Sequence, residues 1–386
     1  MEFNGVKLSR VTTYFSAMLC LFLLSFVVGW SSKSTNNVFY GLIALPGLFF
    51  LLKGHGLKVL KEPLAWLWLV FMLWFAVSAT VFGAMEFYKP IVYVLSFVFI
   101  VASLVSPDFF RSKEFIRAQF WILILYIYLS AIYSWSTGQF PFGSRVALLP
   151  ARLINVIYAS IWLFCALALA LPYWVKTKRW IEATAAVLLS VIAVTFVLQT
   201  RTALVGAAFL FGLWVLYGLY LRPKVVGSIL LVGALVLGLV VWGVHNEAWY
   251  ISLWNRGDSY RVEIFNVMVG EWRNCGWTLG CGVGFHTEQL LDGFMPIQHP
   301  HNIFVALGVY TGAPALLLFV VLMLTSLLAA WRLRDAWGMF LACALVMLNF
   351  DGSILVHSPD ELWPLVLMPA ALILGRVSQA RQLQRG

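Results

Sequence analysis

The chain has 386 residues, of which 62% are hydrophobic and only 11% charged, with a mean hydropathy of +0.89. Soluble domains carry about 25% charged residues, so this composition excludes an ordinary soluble fold and points to a polytopic membrane protein. The formal net charge of +10 is not a nucleic-acid footprint, because the basic residues are distributed by membrane side rather than gathered on one face.

Reading apolar runs between polar breaks predicts about twelve helical spans. They cover residues 11–30, 38–52, 64–82, 90–106, 118–136, 153–171, 180–199, 202–221, 225–244, 302–329, 336–356 and 361–376. A closed barrel would alternate apolar and polar residues, and the run from Val225 to Val244 does not. The first run has no small-residue cleavage site behind it, so it reads as a retained span and not as a signal peptide. With the N-terminus placed in the cytoplasm, eighteen of the 26 Lys and Arg residues fall on the inner side, which orients the chain with both termini inside. The predicted fold class is therefore an all-α polytopic membrane protein. It forms a single integral membrane domain over 1–386, with one larger outer loop at 245–301. The tail after Gly375 reads as a frayed cytoplasmic end.

Of the basic residues left on the outer side, Lys33 and Lys89 read as solvated, and the remaining six are all arginine. Arginine suits bidentate phosphate contacts, whereas topology alone gives no strong reason to prefer it to lysine. Arg145 and Arg152 flank Pro150 in one outer loop. Arg201 follows Gln199-Thr200 at a hairpin so tight that the next span starts almost at once. Each reads either as an interface anchor or as a ligand for an anion.

In the long loop, Asp258-Ser259 is placed to cap a short helix reaching about Trp272, with Tyr260, Ile264, Val267 and Met268 as its apolar stripe and Arg261 in its first turn. Gly280, Gly282 and Gly284 follow. No strand precedes them and no helix opens from them, so they read as turn glycines and not as a dinucleotide fingerprint. Cys275 and Cys281 share this loop and are able to form a disulfide, which spacing alone leaves open. Cys20, Cys165 and Cys343 read as small apolar residues inside spans.

The loop ends in Gln298-His299-Pro300-His301-Asn302-Ile303-Phe304. This places an imidazole at a helix start, where unpaired N–H groups and the positive helix dipole favour an anion. His301 is the candidate general base, weighed against a plain interface histidine; His299 ranks below it and His286 reads as solvated. Asn302 joins Arg145, Arg152, Arg201 and Arg261 as a candidate substrate-binding residue. Asp351, at the end of the eleventh run, reads first as an interface acid and second as a group that orients a histidine or an arginine. No acidic pair has metal-ligand spacing and no Cys-x-x-Cys is present, so neither a metal site nor another cofactor is expected.

Taken in order, these pieces resemble the O-antigen ligase family, within the wider group of O-antigen ligases and polymerases. Gln199-Thr200-Arg201-Thr202-Ala203-Leu204 is similar to that family's Ser/Thr-Arg-small segment at a helix head. Arg261, Trp272 and Leu279-Gly280-Cys281-Gly282-Val283-Gly284-Phe285 resemble its Arg…Trp…Gly-x-Gly-x-Gly-Phe stretch. His301-Asn302-Ile303-Phe304, with Gly308 and Thr311-Gly312-Ala313, resembles its His-Asn…Gly-x-x-Gly signature. The resemblance covers about residues 199 to 320, with hydropathy alone beyond it.

The resemblance implies transfer of a glycan from undecaprenyl diphosphate to lipid A–core at the periplasmic face of a Gram-negative inner membrane. It also implies a metal-independent, inverting reaction in a multispan membrane glycosyltransferase fold. His301 would activate the acceptor hydroxyl, and Arg201 and Arg261 would bind the donor diphosphate. An O-antigen polymerase uses the same donor, but its spaced Arg-x15-Gly pattern is absent: counting from Arg261 reaches Trp277, with Gly276 one residue short. A flippase or transporter of lipid-linked oligosaccharide would call for repeat symmetry and mid-span charges, and the polar residues here cluster at one face.

Overall fold

Long apolar runs close their own backbone hydrogen bonds, and the chain is accordingly built from helices. The structure is a computed structural model describing residues 2–3, 6–7, 9–29, 31–221, 260–291 and 293–385. In chain order its principal helices are α1 (Arg10–Val28), α2 (Ser32–Leu52), α3 (Pro63–Val81), α4 (Met85–Leu104), α5 (Lys113–Ser136) and α6 (Val156–Lys176). They continue with α7 (Trp180–Val197), α8 (Arg201–Leu221), α9 (Arg261–Cys275), α10 (Ile303–Arg332), α11 (Trp337–Leu348) and α12 (Trp363–Gln384). Among the described residues, nine helices are long and apolar enough to cross a membrane. Strands among the described residues are confined to two antiparallel pairs, Glu2–Phe3 with Val6–Lys7 and Leu290–Leu291 with Met295–Pro296.

Every expected span except 225–244, which lies outside the described residues, corresponds to a helix. Two boundaries change. The run expected at 336–356 is helical only over the 12 residues of α11. Beyond it Asn349, Asp351 and Gly352 turn the chain into a loop, which takes Asp351 out of the apolar helix. The tail expected to fray instead prolongs α12. It is held by Arg376 donating to Asp108 (3.1 Å) and by Arg381 pairing with the buried Glu62 (3.0 Å).

Between lipid-soluble helices water gives little drive to associate, so close packing carries the load. The aromatic side chains do this conspicuously. The fully buried Trp363 at the head of α12 meets Phe39 of α2 and Phe97 of α4, each with ring centroids 4.8 Å away, and Phe22 of α1 at 6.3 Å. Such ring pairs add about 0.5–1.5 kcal/mol each beyond the area they bury. Helix α6 packs against α5, α7, α8 and α11, and together with α12 it is the most buried of the spans.

The glycine-rich stretch has a structural use. Helix α10 breaks at Gly312 (φ 80°, ψ 175°), two residues before Pro314, whose ring cannot continue the preceding turn. Residues 276–282 dock into that break. Ala313 N–H donates to the Trp277 carbonyl (2.7 Å), Cys281 N–H to the Val309 carbonyl (2.6 Å), and Trp74 of α3 to the Thr311 carbonyl (2.8 Å). A Cβ on Gly312 would run into the Thr278 carbonyl, and one on Gly280 (φ 70°) into the Val309 carbonyl. Cys275 and Cys281 are joined by a disulfide that closes the docked turn. The expected loop helix is α9, with Ile264, Met268 and Trp272 buried; its expected cap, Asp258-Ser259, lies outside the described residues.

Gly280→Ala should therefore lower the thermal midpoint of the detergent-solubilised protein, by a stability loss of at least about 1 kcal/mol. Gly284→Ala, which meets nothing within 4 Å and has no positive φ, should be close to neutral. Equal behaviour of the two variants would contradict the docking role.

Candidate active site

Three polar segments distant in sequence meet at one end of the bundle. The first is the hairpin between α7 and α8. Helix α7 closes in a π-helical turn at Ala193–Val197, and Gln199 adopts a left-handed conformation (φ 47°). The Gln199 side-chain amide donates to the Gly143 carbonyl (2.9 Å), and Val146 N–H donates to the Val197 carbonyl (3.2 Å). The α5–α6 loop is thereby tied to the hairpin, which brings Arg145 to the cavity that Arg201 lines. The Tyr126 hydroxyl fixes the other half of that loop through the carbonyls of Leu149 (2.9 Å) and Leu153 (3.0 Å).

The second segment is the head of α10. His301 is left-handed (φ 50°), a region that non-glycine residues visit at a cost of roughly 1–3 kcal/mol. Asn302 offsets that cost as the helix cap. Its carbonyl oxygen accepts from Phe304 N–H (2.9 Å) and Val305 N–H (3.1 Å), and its amide donates to the Asn349 backbone carbonyl (2.8 Å) and side chain (3.0 Å). The sequence reading grouped Asn302 with the substrate-binding residues. Here its side chain is committed to the protein, and it does not line the cavity.

Asp351 is the third segment; it meets His301 directly and reaches the hairpin through Arg261 of α9. It is 3% exposed at its side chain, against 31% for His301. Its Oδ1 lies 3.2 Å from His301 Nδ1 and accepts from Gly352 N–H (2.9 Å). Its Oδ2 lies 4.0 Å from Arg261 Nη2. Arg261, the first residue of α9, also donates to the Thr202 hydroxyl in the first turn of α8 (3.0 Å). Because a carboxylate only accepts, Nδ1 of His301 carries the proton and Nε2 is left with its lone pair. A partly exposed imidazole is thus fixed in the tautomer that takes a proton.

Arg145, Arg201, Arg261 and His301 line one cavity of about 450 Å³, together with Gln199, Thr200, Thr202 and Phe350. That volume lies within the ~300–1,000 Å³ range of small-molecule sites. Three guanidiniums and a histidine base around one space make a receptor for a strongly anionic group beside a proton acceptor. Arg152 goes elsewhere: it pairs with Glu361 (3.3 Å) and borders a neighbouring cavity. His299 also lines that neighbour, with its ring edge-on to His301 at a centroid distance of 4.0 Å. Among the described residues, no group of three His, Cys, Asp or Glu side chains is arranged to hold a metal ion.

Sequence reasoning ranked Asp351 as an interface acid first, and it did not single out Thr202. The signal for Asp351 was its place in a polar break, Asn349 to Ser353, that ends an apolar run. In comparisons with known proteins, no family model matches the chain and no curated protein is significantly similar to it.

Burial lowers the pKa of His299, as does the neighbouring His301; burial also lowers that of His357, which Arg152 reinforces. Below their ordinary value of 6.5, the unfolded chain takes up protons that these folded histidines refuse, so stability should fall as pH drops through that value. The thermal midpoint should decline between pH 7.5 and 5.5, as the cited linkage gives, and the decline should flatten in a His299→Gln, His357→Gln double variant. An unchanged slope in that variant would assign the pH dependence to other groups.

Proposed function

We propose that the protein is an O-antigen ligase, transferring a glycan from undecaprenyl diphosphate to lipid A–core at the periplasmic face of the inner membrane. The observation that carries this reading is the His301–Asp351–Arg261 connection, with His301 and Arg261 on the wall of the same arginine-lined cavity as Arg145 and Arg201. A lipid-linked donor brings its own leaving group, and a membrane enzyme on the outer face has no nucleotide supply. What such a reaction needs is a clamp for a diphosphate and a base for an alcohol.

In this reading the donor diphosphate lies among Arg145, Arg201 and Arg261. His301 Nε2 takes the proton of the acceptor hydroxyl as its oxygen attacks the anomeric carbon. The bond from that carbon to the diphosphate oxygen breaks, and the electron pair leaves with undecaprenyl diphosphate. Attack opposite the leaving group inverts the anomeric centre. Asp351 holds the imidazole and stabilises its protonated form, while the guanidiniums neutralise the charge growing on the leaving oxygen. A base so placed contributes roughly 10²–10⁴ in rate.

The deciding experiment incubates purified protein with an undecaprenyl-diphosphate-linked glycan and either lipid A–core or a second lipid-linked glycan. Product on lipid A–core supports the ligase. Product only on the second lipid-linked glycan makes the protein a polymerase, and product on neither removes the transferase reading.

His301→Ala should abolish transfer without loss of folded protein, and Asp351→Asn should reduce it by about 100-fold or more, because an amide can impose the wrong tautomer. Near-normal turnover in purified His301→Ala would remove the general-base role. Transfer should also survive exhaustive EDTA treatment, since three arginines supply the positive charge that a cation supplies elsewhere. Loss of activity that returns on adding Mg²⁺ or Mn²⁺ would replace the arginine clamp with a metal site.

A further inference from the structure

The neighbouring cavity, of about 350 Å³, is lined among others by Arg152, Tyr158, Phe285, His299, Asp360 and Glu361. Its relation to the arginine-lined cavity is close. The α5–α6 loop gives Arg145 to one and Arg152 to the other, and α6 gives Ile157 to one and Tyr158 to the other. The head of α10 divides His301 from His299 in the same way, and the loop after α11 divides Phe350 from Ser353. Four segments therefore contribute to both cavities, and the His299–His301 ring pair stands between them.

Their chemistry differs. Among the described residues, the arginine-lined cavity is bordered by three guanidiniums and no carboxyl group, whereas the neighbour is bordered by one guanidinium and two carboxyl groups, Glu361, which pairs with that guanidinium, and Asp360. With one guanidinium set against one paired carboxylate, this lining offers a phosphate no net positive charge. Sugar hydroxyls gain from the same groups. Glu361 accepts hydrogen bonds, and two residues that line this cavity, Arg152 and His299, each carry a buried nitrogen, Nε and Nδ1, with no hydrogen-bond partner. Burial, with Glu361 adjacent, pushes the Asp360 carboxyl up to about 8, so at neutral pH it carries a proton and donates as well as accepts. Tyr158 and Phe285 add aromatic surface to the lining, which suits the C–H side of a pyranose ring.

We propose that this second cavity binds the acceptor as a neutral, hydroxyl-rich saccharide, with Arg152, Glu361 and His299 as its polar contacts, and delivers it across the His299–His301 wall to the base. This deepens the transferase reading and rests on it for the word acceptor.

The test measures binding to the full chain in nanodiscs, using core oligosaccharide released from lipid A as one probe and undecaprenyl diphosphate as the other. Glu361→Gln keeps the side-chain shape and removes the charge. Gln298→Trp blocks the cavity from an exposed lining position and decides the matter if Glu361→Gln does not fold. Each should weaken core-oligosaccharide binding by about tenfold or more, the usual scale for losing a charged hydrogen bond, while undecaprenyl diphosphate binds as before. Arg261→Lys should give the opposite pattern. Wild-type protein that fails to bind the oligosaccharide, or variants that bind it unchanged, would overturn the proposal. If wild type binds the oligosaccharide but forms no product from a lipid-linked glycan, the transferase reading falls and the saccharide pocket stands.

Discussion

One buried carboxylate organises the polar end of this protein. Among the described residues, Asp351 is the single group within ion-pair reach of both His301 and Arg261, which lie 40 residues apart in a chain with little other polarity. Burying a carboxylate costs several kcal/mol unless charged or hydrogen-bonding partners surround it. Asp351 has an imidazole N–H, a guanidinium and a backbone N–H around it. Each partner is in turn held from behind, Arg261 by Thr202 and the head of α10 by Asn302. The imidazole and the backbone N–H satisfy Oδ1, while the buried Oδ2 has the guanidinium at 4.0 Å and no hydrogen bond, so the site is arranged around that charge without saturating it.

The two cavities extend the same logic outward. A bundle of lipid-soluble helices can hold a polar space only where loops bring their own partners. Here the α5–α6 loop, the α7–α8 hairpin, the head of α10 and the loop after α11 converge for that purpose. Two of the π-helical turns border this region, at the end of α7 and the start of α12. Each widens a helix next to a segment that must leave the regular path, and such turns often mark functional positions.

Much of this was legible in the residues. Hydropathy located the helices because span length and apolar composition are local properties, and the outer arginines stood out as charges in an apolar chain. The two loop cysteines were visible as a possible pair. What sequence hid was pairing at a distance. Asp351 lies 50 residues beyond His301 and 90 beyond Arg261, so its role exists only in three dimensions. Arg145 and Arg152 look equivalent on either side of Pro150, yet the Tyr126 hydroxyl and the Gln199 amide anchor their halves of the loop separately. Asn302 beside the histidine looked like a ligand because capping and ligation use the same residue types. The glycines after Trp277 looked like ordinary turn glycines because their docking site, the break at Gly312, belongs to another element.

That break also determines which parts of the molecule share one frame. The turn carrying Trp277 to Cys281 is joined to α10 by two backbone hydrogen bonds, one on each side of the Gly312 break, and to the end of α9 by a disulfide, so the position of α9 is set by the path of α10. One of these helices starts with Arg261, and His301 stands just ahead of the other. The spacing between that guanidinium and that imidazole therefore depends on a few backbone contacts far from both, and the Thr202 hydroxyl ties the first turn of α8 to the same frame.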